Sequence, residues 1–316
     1  MGNKAAKEFE NGMQAKREKN YDEAYQCFRI AAKQGHAEAC NELGECYFYG
    51  NGTDQNHEKA LKWYKKAAKA GNPDAQGNVG YCYANGIGTT QDYARSVKWL
   101  KRAAEQNNGN AQLNLGNRYH KGQGVKKNLS KAEKYYLLAT QNGAPMGYLM
   151  AGILYYIGFD EIQQDYQKAY ELISKCVEET NHRQARYMMG KMLLLGQGVE
   201  KNLAQARVHL CVSALQGYSD AVSLIEKNEQ LFDAEITNAF YHWLMGLTAK
   251  ADDMMKAPDL QLFAISAECA KRGMEYAETI GIIASRLFEL ATERFPQERL
   301  IEINFIGLAT KWVLKK

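Results

Sequence analysis

The sequence predicts an all-α protein, a solenoid of helix-turn-helix repeats closed by a helical C-terminal cap. Three observations carry that expectation. First, a marker glycine recurs at Gly44, Gly80, Gly116, Gly152 and Gly190, spaced 36, 36, 36 and 38 residues apart. Second, each is followed three places later by Tyr47, Tyr83, Tyr119, Tyr155 or Leu193, and six places later by Gly50, Gly86, Gly122, Gly158 or Gly196. Third, small residues return at nearly the same period at Ala60, Ser96, Ala132, Ala169 and Ala206. A fixed period of this length marks stacked helical units, in which each unit buries its apolar face against its neighbours.

Each part of the period has a mechanical reason. Leu43 and Tyr47 lie four apart and share one face of a first helix, A. The glycine between them lets a neighbouring helix approach closely. Trp63, Tyr64, Ala67 and Ala68 form a broad apolar stripe on a second helix, B. Four residues before each B-helix small residue stands Asn20, Asn56, Asp92, Asn128, Asp165 or Asn202. A run of Asn and Asp at one position predicts N-caps, whose side-chain oxygens accept from orphan backbone N–H groups. Gly35, Gly71, Gly143 and Gly217 stand where helix B must stop, the left-handed position that glycine fills without a Cβ penalty. The G-x-G triplets, such as Gly86-Ile87-Gly88, follow a helix and not a strand. They therefore predict repeat turns and not a phosphate-binding loop.

The combined pattern, A-x-x-x-L-G-x-x-Y-x-x-G-x-G and then K-A-x-x-W/Y-Y-x-x-A-A-x-x-G, resembles the Sel-1-like repeat family, relatives of the tetratricopeptide repeat. The resemblance covers about residues 5–217. One repeat departs from it: Phe159-Asp160 replaces the second loop glycine, and the loop is one residue longer. The resemblance implies a right-handed α/α superhelix that serves protein–protein contacts, as an adaptor and without catalysis. The expected organisation is a tetratricopeptide-like repeat over residues 1–35, five Sel-1-like repeats over 36–217, and a helical cap or divergent repeats over 218–316. In that last region the pattern fades, and helices are expected near residues 220–229, 234–251, 259–272, 275–294 and 298–313. Phe240, Trp243, Ile280 and Leu287 are read as core within it.

In solenoids of the tetratricopeptide type helix A lines the concave face. Counting from the marker glycine, the groove positions include Asn41, Glu45, Phe48 and Tyr49 in the second repeat, Tyr81 and Asn85 in the third, and Asn117 and His120 in the fourth. Ile153 and Tyr156 follow in the fifth, and Tyr187 and Lys191 in the sixth. Phe48, Tyr49 and Tyr81 are aromatic anchors of the kind found at binding hot spots. Asn41, Asn117 and His120 are placed to bond a peptide backbone. The groove positions of the fifth and sixth repeats, which also include Met146, Leu149, Ile157, Leu194 and Leu195, are mostly apolar. An open apolar patch of that size needs a cover. It is covered either by the C-terminal helices folding back or by a partner helix or peptide.

Composition narrows the function classes. The chain has 316 residues, 46% hydrophobic and 24% charged, with 40 basic against 36 acidic residues and a net charge of +4. So balanced a charge gives no case for nucleic acid or for an anionic membrane. No run approaches the roughly 18 apolar residues of a membrane span, and the N-terminus lacks the apolar core of a signal peptide. A cytoplasmic location is expected, with leaderless secretion left open. Gly2 invites a myristoylation reading, but Ala6 stands where Ser or Thr is preferred. The seven cysteines include no C-x-x-C and read as reduced packing residues. The six histidines show no metal-ligand spacing. His209 stands where Trp63 stands in its own repeat, and is expected to be half-buried and hydrogen-bonded. No catalytic motif is present, and neither cofactor nor metal is expected. The reading is a non-enzymatic scaffold that binds a protein or peptide partner, itself a monomer or weak oligomer. The alternatives are a secreted bacterial effector acting on a host protein, or a regulatory subunit of an enzyme.

Overall fold

The computed structural model describes residues 2–228 with the exception of residue 160. The helices expected beyond residue 229, and with them the fold-back of a C-terminal cap, lie outside the described residues. Within them the chain alternates A and B helices: α1 (Gly2–Arg17), α2 (Tyr21–Lys33), α3 (Ala37–Tyr49), α4 (His57–Lys69), α5 (Pro73–Asn85), α6 (Tyr93–Glu105), α7 (Gly109–Lys121), α8 (Leu129–Gln141), α9 (Met146–Ile157), α10 (Tyr166–Thr180), α11 (Arg183–Leu195), α12 (Leu203–Leu215) and α13 (Ser219–Lys227). No strand is found among them; a single antiparallel bridge joins Phe159 and Ile162. The chain divides into two compact units, Met1–Gln164 and Asp165–Lys316.

In the first unit α1, α3, α5 and α7 each pack on the B helix that follows, and α3, α5, α7 and α9 each pack on the B helix before. The close pairing rests on the marker glycines. At Gly80 an added Cβ would stand 2.7 Å from Leu100 Cγ, and at Gly116 it would stand 2.6 Å from the Tyr136 ring. No methyl group fits there, so the A and B backbones come together over Leu100 or Tyr136, each nearly fully buried. The small residues of the B helices, Ala60, Ala67, Ala103, Ala132 and Ala139, are fully buried in the same seam.

The B-helix starts follow the sequence expectation throughout. The side chains of Asn20, Asn56, Asp92, Asn128, Asp165 and Asn202 accept from the backbone N–H three residues on. The A helices carry caps too, which the periodicity did not single out: His36, Asn72 and Asn108 accept from Ala39, Ala75 and Ala111. Gly35, Gly71, Gly143 and Gly217 all take positive φ. The second loop glycines have a further reason. Gly88 has φ +64, and a Cβ there would overlap the carbonyl oxygen of His57, at the start of the preceding B helix. Gly52, Gly124 and Gly198 meet Tyr21, Tyr93 and Tyr166 in the same way. The G-x-G triplets are therefore turns that abut the previous repeat.

Where Phe159 breaks that pattern, a different contact takes over. The Glu161 carboxylate accepts from the backbone N–H groups of Leu129 (3.1 Å) and Ser130 (3.3 Å). An acidic group thus sits at the positive N-terminal end of α8, where the helix dipole favours it.

A buried polar ladder ties successive repeats together. Gln76 Nε2 donates to the Ala68 carbonyl and Gln112 Nε2 to the Ala104 carbonyl, while their own oxygens accept from Gln106 and Asn142. In the second unit Arg186 occupies the matching position. Its Nε donates to Asn181, and its Nη1 lies 3.2 Å from His209 Nδ1. Burial first, and then the Arg186 charge, hold His209 down to about 4. His209 is half-buried and hydrogen-bonded, as its place in the repeat suggested. The cysteines at 27, 40, 46 and 82 are free thiols, all but Cys27 buried, and Cys176 is buried as well.

Candidate functional site: the face of the first helices

Side-chain bonds between A helices show which residues share one face of the first unit. Lys16 Nζ on α1 donates to Glu42 (2.5 Å) and Glu45 (3.0 Å) on α3. Asn78 Nδ2 on α5 donates to Asn41 Oδ1 on α3 (3.1 Å), and Asn108 Nδ2, at the start of α7, donates to Asp74 Oδ1 on α5 (2.7 Å). The A helices of four successive repeats are therefore laced side by side.

Three aromatic residues stand on this face. Phe48 is half-buried and packs against Tyr49 (4.9 Å between ring centroids), His57 (5.1 Å) and Tyr81 (6.5 Å). Tyr49 is 64% exposed and Tyr81 42% exposed, although large apolar side chains are normally covered. Asn85 is exposed beside them, and its Nδ2 donates to the Tyr81 carbonyl. Glu45 is half-buried against Lys16. Burial alone would lower the Lys16 pKa, but the hydrogen bond to Glu42 and the charges of Glu45 and Glu42 outweigh it and hold the ammonium above its usual value. Burial raises the Glu42 carboxyl, with the nearby Glu45 adding to it. Helices α3 and α5 contain no lysine or arginine, and Lys16 on α1 is the cation that pairs with Glu42 and Glu45.

Several sequence-derived positions are engaged in hydrogen bonds within the protein. Asn41 is 4% exposed and accepts from Asn78. It links two helices and does not present its amide to a ligand; counting along one helix could not reveal that the next A helix covers it. Asn117 and His120 are half-buried and joined through Tyr136, whose hydroxyl donates to Asn117 Oδ1 (2.9 Å) and lies 3.2 Å from His120 Nδ1. Burial, and then Lys127 and Lys121, lower the His120 pKa. Among the described residues no cluster of His, Cys, Asp and Glu could hold a metal ion.

The expected apolar patch is smaller than the sequence suggests. On α9, Ile153 and Tyr156 are half-buried, Ile157 is exposed and Leu149 is core. In the second unit, Tyr187 is half-buried against Tyr218 (5.1 Å), Lys191 is half-buried, Leu195 is exposed and Leu194 is core. Leu149 and Leu194 point into the seams between helices, so only Ile157 and Leu195 remain as large exposed apolar side chains on these A helices.

A family model described as Sel1 repeat matches residues 3–36, 37–72, 73–108, 109–143, 145–175 and 183–218, more than half of the chain. Among solved structures, the chain is similar to a Sel1 repeat protein from Oxalobacter formigenes, with 29% identity over 71% of this chain and 91% of that one and a TM-score of 0.65. It is also similar to c5321, a protective antigen present in uropathogenic Escherichia coli strains and displaying an SLR fold. There the identity is 26% over 96% of this chain and 69% of that one, with a TM-score of 0.64. No curated protein matches the chain.

Proposed function

Since the chain belongs to the Sel1 repeat family, whose members are in general non-catalytic protein-interaction scaffolds, we propose that it holds a partner peptide or helix on the A-helix face of its first unit. The observation that supports this most is the pair of exposed rings, Tyr49 and Tyr81, flanking Phe48. Rigid aromatic side chains on a scaffold of packed helices give large contact area at low entropic cost, and they dominate binding energy where they occur. Asn85 and Glu45 supply polar contacts at the rim of the aromatic group, and Ile153, Tyr156 and the exposed Ile157 extend the same kind of surface on α9. Tyr187 and Lys191 belong to the second unit and form a separate candidate surface. No described helix is long and apolar enough to cross a membrane.

A second reading, a bacterial factor that meets a host protein, draws support from the likeness to a protective antigen. It changes which proteome supplies the partner and leaves the docking face the same.

The test is affinity capture with the wild type and a Tyr49→Ala/Tyr81→Ala variant. Both rings are exposed, so the double variant should stay within about 0.5–1 kcal/mol of wild-type stability. Loss of two anchor residues should weaken capture of the same partner by about 30-fold or more. Equal capture by a folded variant would remove this face from the account.

A further inference from the structure

The B helices of the second to fourth repeats carry a charge pattern that the A-helix face does not explain. Helix α4 contains five lysines against one glutamate. Helix α6 contains two lysines and two arginines against one glutamate. The A helices beside them, α3 and α5, have acidic residues and no basic ones. In the second and third repeats the charge is therefore segregated, acidic A helices beside basic B helices, a pattern hidden in the near-balanced charge of the whole chain.

The cations stand in register. Lys59, Arg95 and Lys131 occupy one position in three successive repeats, and each lies over the tyrosine that follows the marker glycine by three. The distances are 5.4 Å to the Tyr47 ring, 5.7 Å to Tyr83 and 5.5 Å to Tyr119. Lys62, Lys98 and Lys134 form a second row at the next position, all exposed, with no ion pair among the described residues. Arg95 also pairs with Asp92. Stacking on rings restrains the first row before any ligand arrives, which lowers the ordering cost of binding. The pattern is absent from α2, where the corresponding residues are Glu23 and Gln26.

We propose that the B-helix face of α4, α6 and α8 is a second docking surface, for a carboxylate-rich protein segment. Three features favour that occupant. The face offers a two-dimensional array of point charges, with cations at spacings of three and four along α4 and α6 and of three on α8, suited to an acidic helix or strand laid across it. None of the large exposed apolar side chains of the described residues lies on α4, α6 or α8, so the face has no anchors for insertion into a membrane. The two tryptophans on it, Trp63 and Trp99, are half-buried and capped by the protein's own Lys66 (4.9 Å) and Arg102 (4.8 Å), so they give no open platform for stacking nucleic-acid bases. This surface stands independently of the aromatic face, and a scaffold with both would hold two partners of opposite character.

The experiment titrates the full chain with a short poly-L-glutamate peptide, followed by fluorescence anisotropy. Parallel titrations use a single-stranded oligothymidylate of equal charge and phosphatidylserine vesicles. The wild type should bind the peptide with an affinity that falls as salt rises. Lys62→Glu/Lys98→Glu/Lys134→Glu should weaken binding by about tenfold or more. A control with the same charge change, Lys4→Glu/Lys7→Glu/Lys33→Glu, should lose about threefold or less, and Tyr49→Ala/Tyr81→Ala should bind like the wild type. If charge reversal perturbs folding, Lys62→Gln/Lys98→Gln/Lys134→Gln gives the same reading at a smaller amplitude. The proposal is overturned if the peptide fails to bind at low salt, if the control loses as much as the B-helix variant, or if the oligonucleotide or the vesicles bind more tightly than the peptide.

Discussion

Two glycines three residues apart on α5 should respond to the same substitution with opposite signs. Gly77 and Gly80 are both helical, and replacing either with alanine removes backbone freedom from the unfolded chain and improves helix propensity. That gain is about 0.8–1 kcal/mol in an open helical site. At Gly77 the new methyl group would meet Asn108 Oδ1 at 3.5 Å and Ala111 Cβ at 3.7 Å, ordinary contact distances. Gly77→Ala should therefore stabilise the protein by about 0.5–1 kcal/mol. At Gly80 the methyl group would stand 2.7 Å from Leu100 Cγ and 2.8 Å from Leu100 Cδ2. Carbon atoms pack no closer than about 3.5 Å, and Leu100 is only 1% exposed, so it cannot swing outward. Overpacking of this kind costs about 1–3 kcal/mol, which offsets the propensity gain and leaves Gly80→Ala net destabilising by up to about 2 kcal/mol. The propensity gain is common to both, so the two variants should differ by the overpacking cost, about 1–3 kcal/mol. Urea unfolding followed by far-ultraviolet circular dichroism reads the difference directly. If Gly80→Ala were stabilising like Gly77→Ala, α5 and α6 would not approach as closely as the repeat requires.

Other consequences follow from single contacts. Asn56→Ala removes the oxygen that accepts from the Lys59 backbone N–H at 2.9 Å and should cost about 1 kcal/mol in urea unfolding. Asn117→Ala should cost about 1–2 kcal/mol because it removes the acceptor of the buried Tyr136 hydroxyl; a loss of binding in that variant would have to be corrected for stability. His209 supplies a pH dependence of definite sign. Its folded pKa, about 4, lies below the ordinary 6.5, so the unfolded chain binds the extra proton first. The stability associated with neutral His209 is fully present above about pH 6.5 and is lost as pH falls toward 4, by about 3 kcal/mol in all. Wild-type and His209→Gln unfolding curves should diverge across that window. Glu42, whose pKa is raised, acts in the opposite sense, which is why the difference between the two proteins is the quantity to measure. Parallel curves would refute the burial of a neutral imidazole there.

What could be read from the sequence was whatever the repeat imposes on every copy. Period, B-helix caps, stop glycines and close-approach glycines each rest on one residue type at one position, so Asn56, Gly71 and Gly80 declare themselves. What could not be read depends on registration between copies. Asn41 looked like a groove residue because counting along α3 does not show α5 lying over it. Gln76 and Gln112 carry no signal of their own in the sequence, because the carbonyls that they satisfy belong to the preceding B helix. Glu161 lies in the one loop that breaks the pattern, and its contact with α8 joins residues more than thirty positions apart. The cation rows were present in the period, at Lys59, Arg95 and Lys131, but a balanced net charge concealed them. The aromatic face was legible in part. Phe48, Tyr49 and Tyr81 come together as the spacing implies, while the apolar positions farther along divide between core, such as Leu149, and surface, such as Ile157.

The most direct measurement places a photoreactive phenylalanine analogue at position 49 or 81 of the otherwise native chain, and at Glu200 as an exposed control, and crosslinks each protein in native lysate. We expect one and the same protein partner to be trapped from positions 49 and 81 and not from position 200. Crosslinking that is equal at all three positions, or confined to the control, would contradict a partner held on the A-helix face.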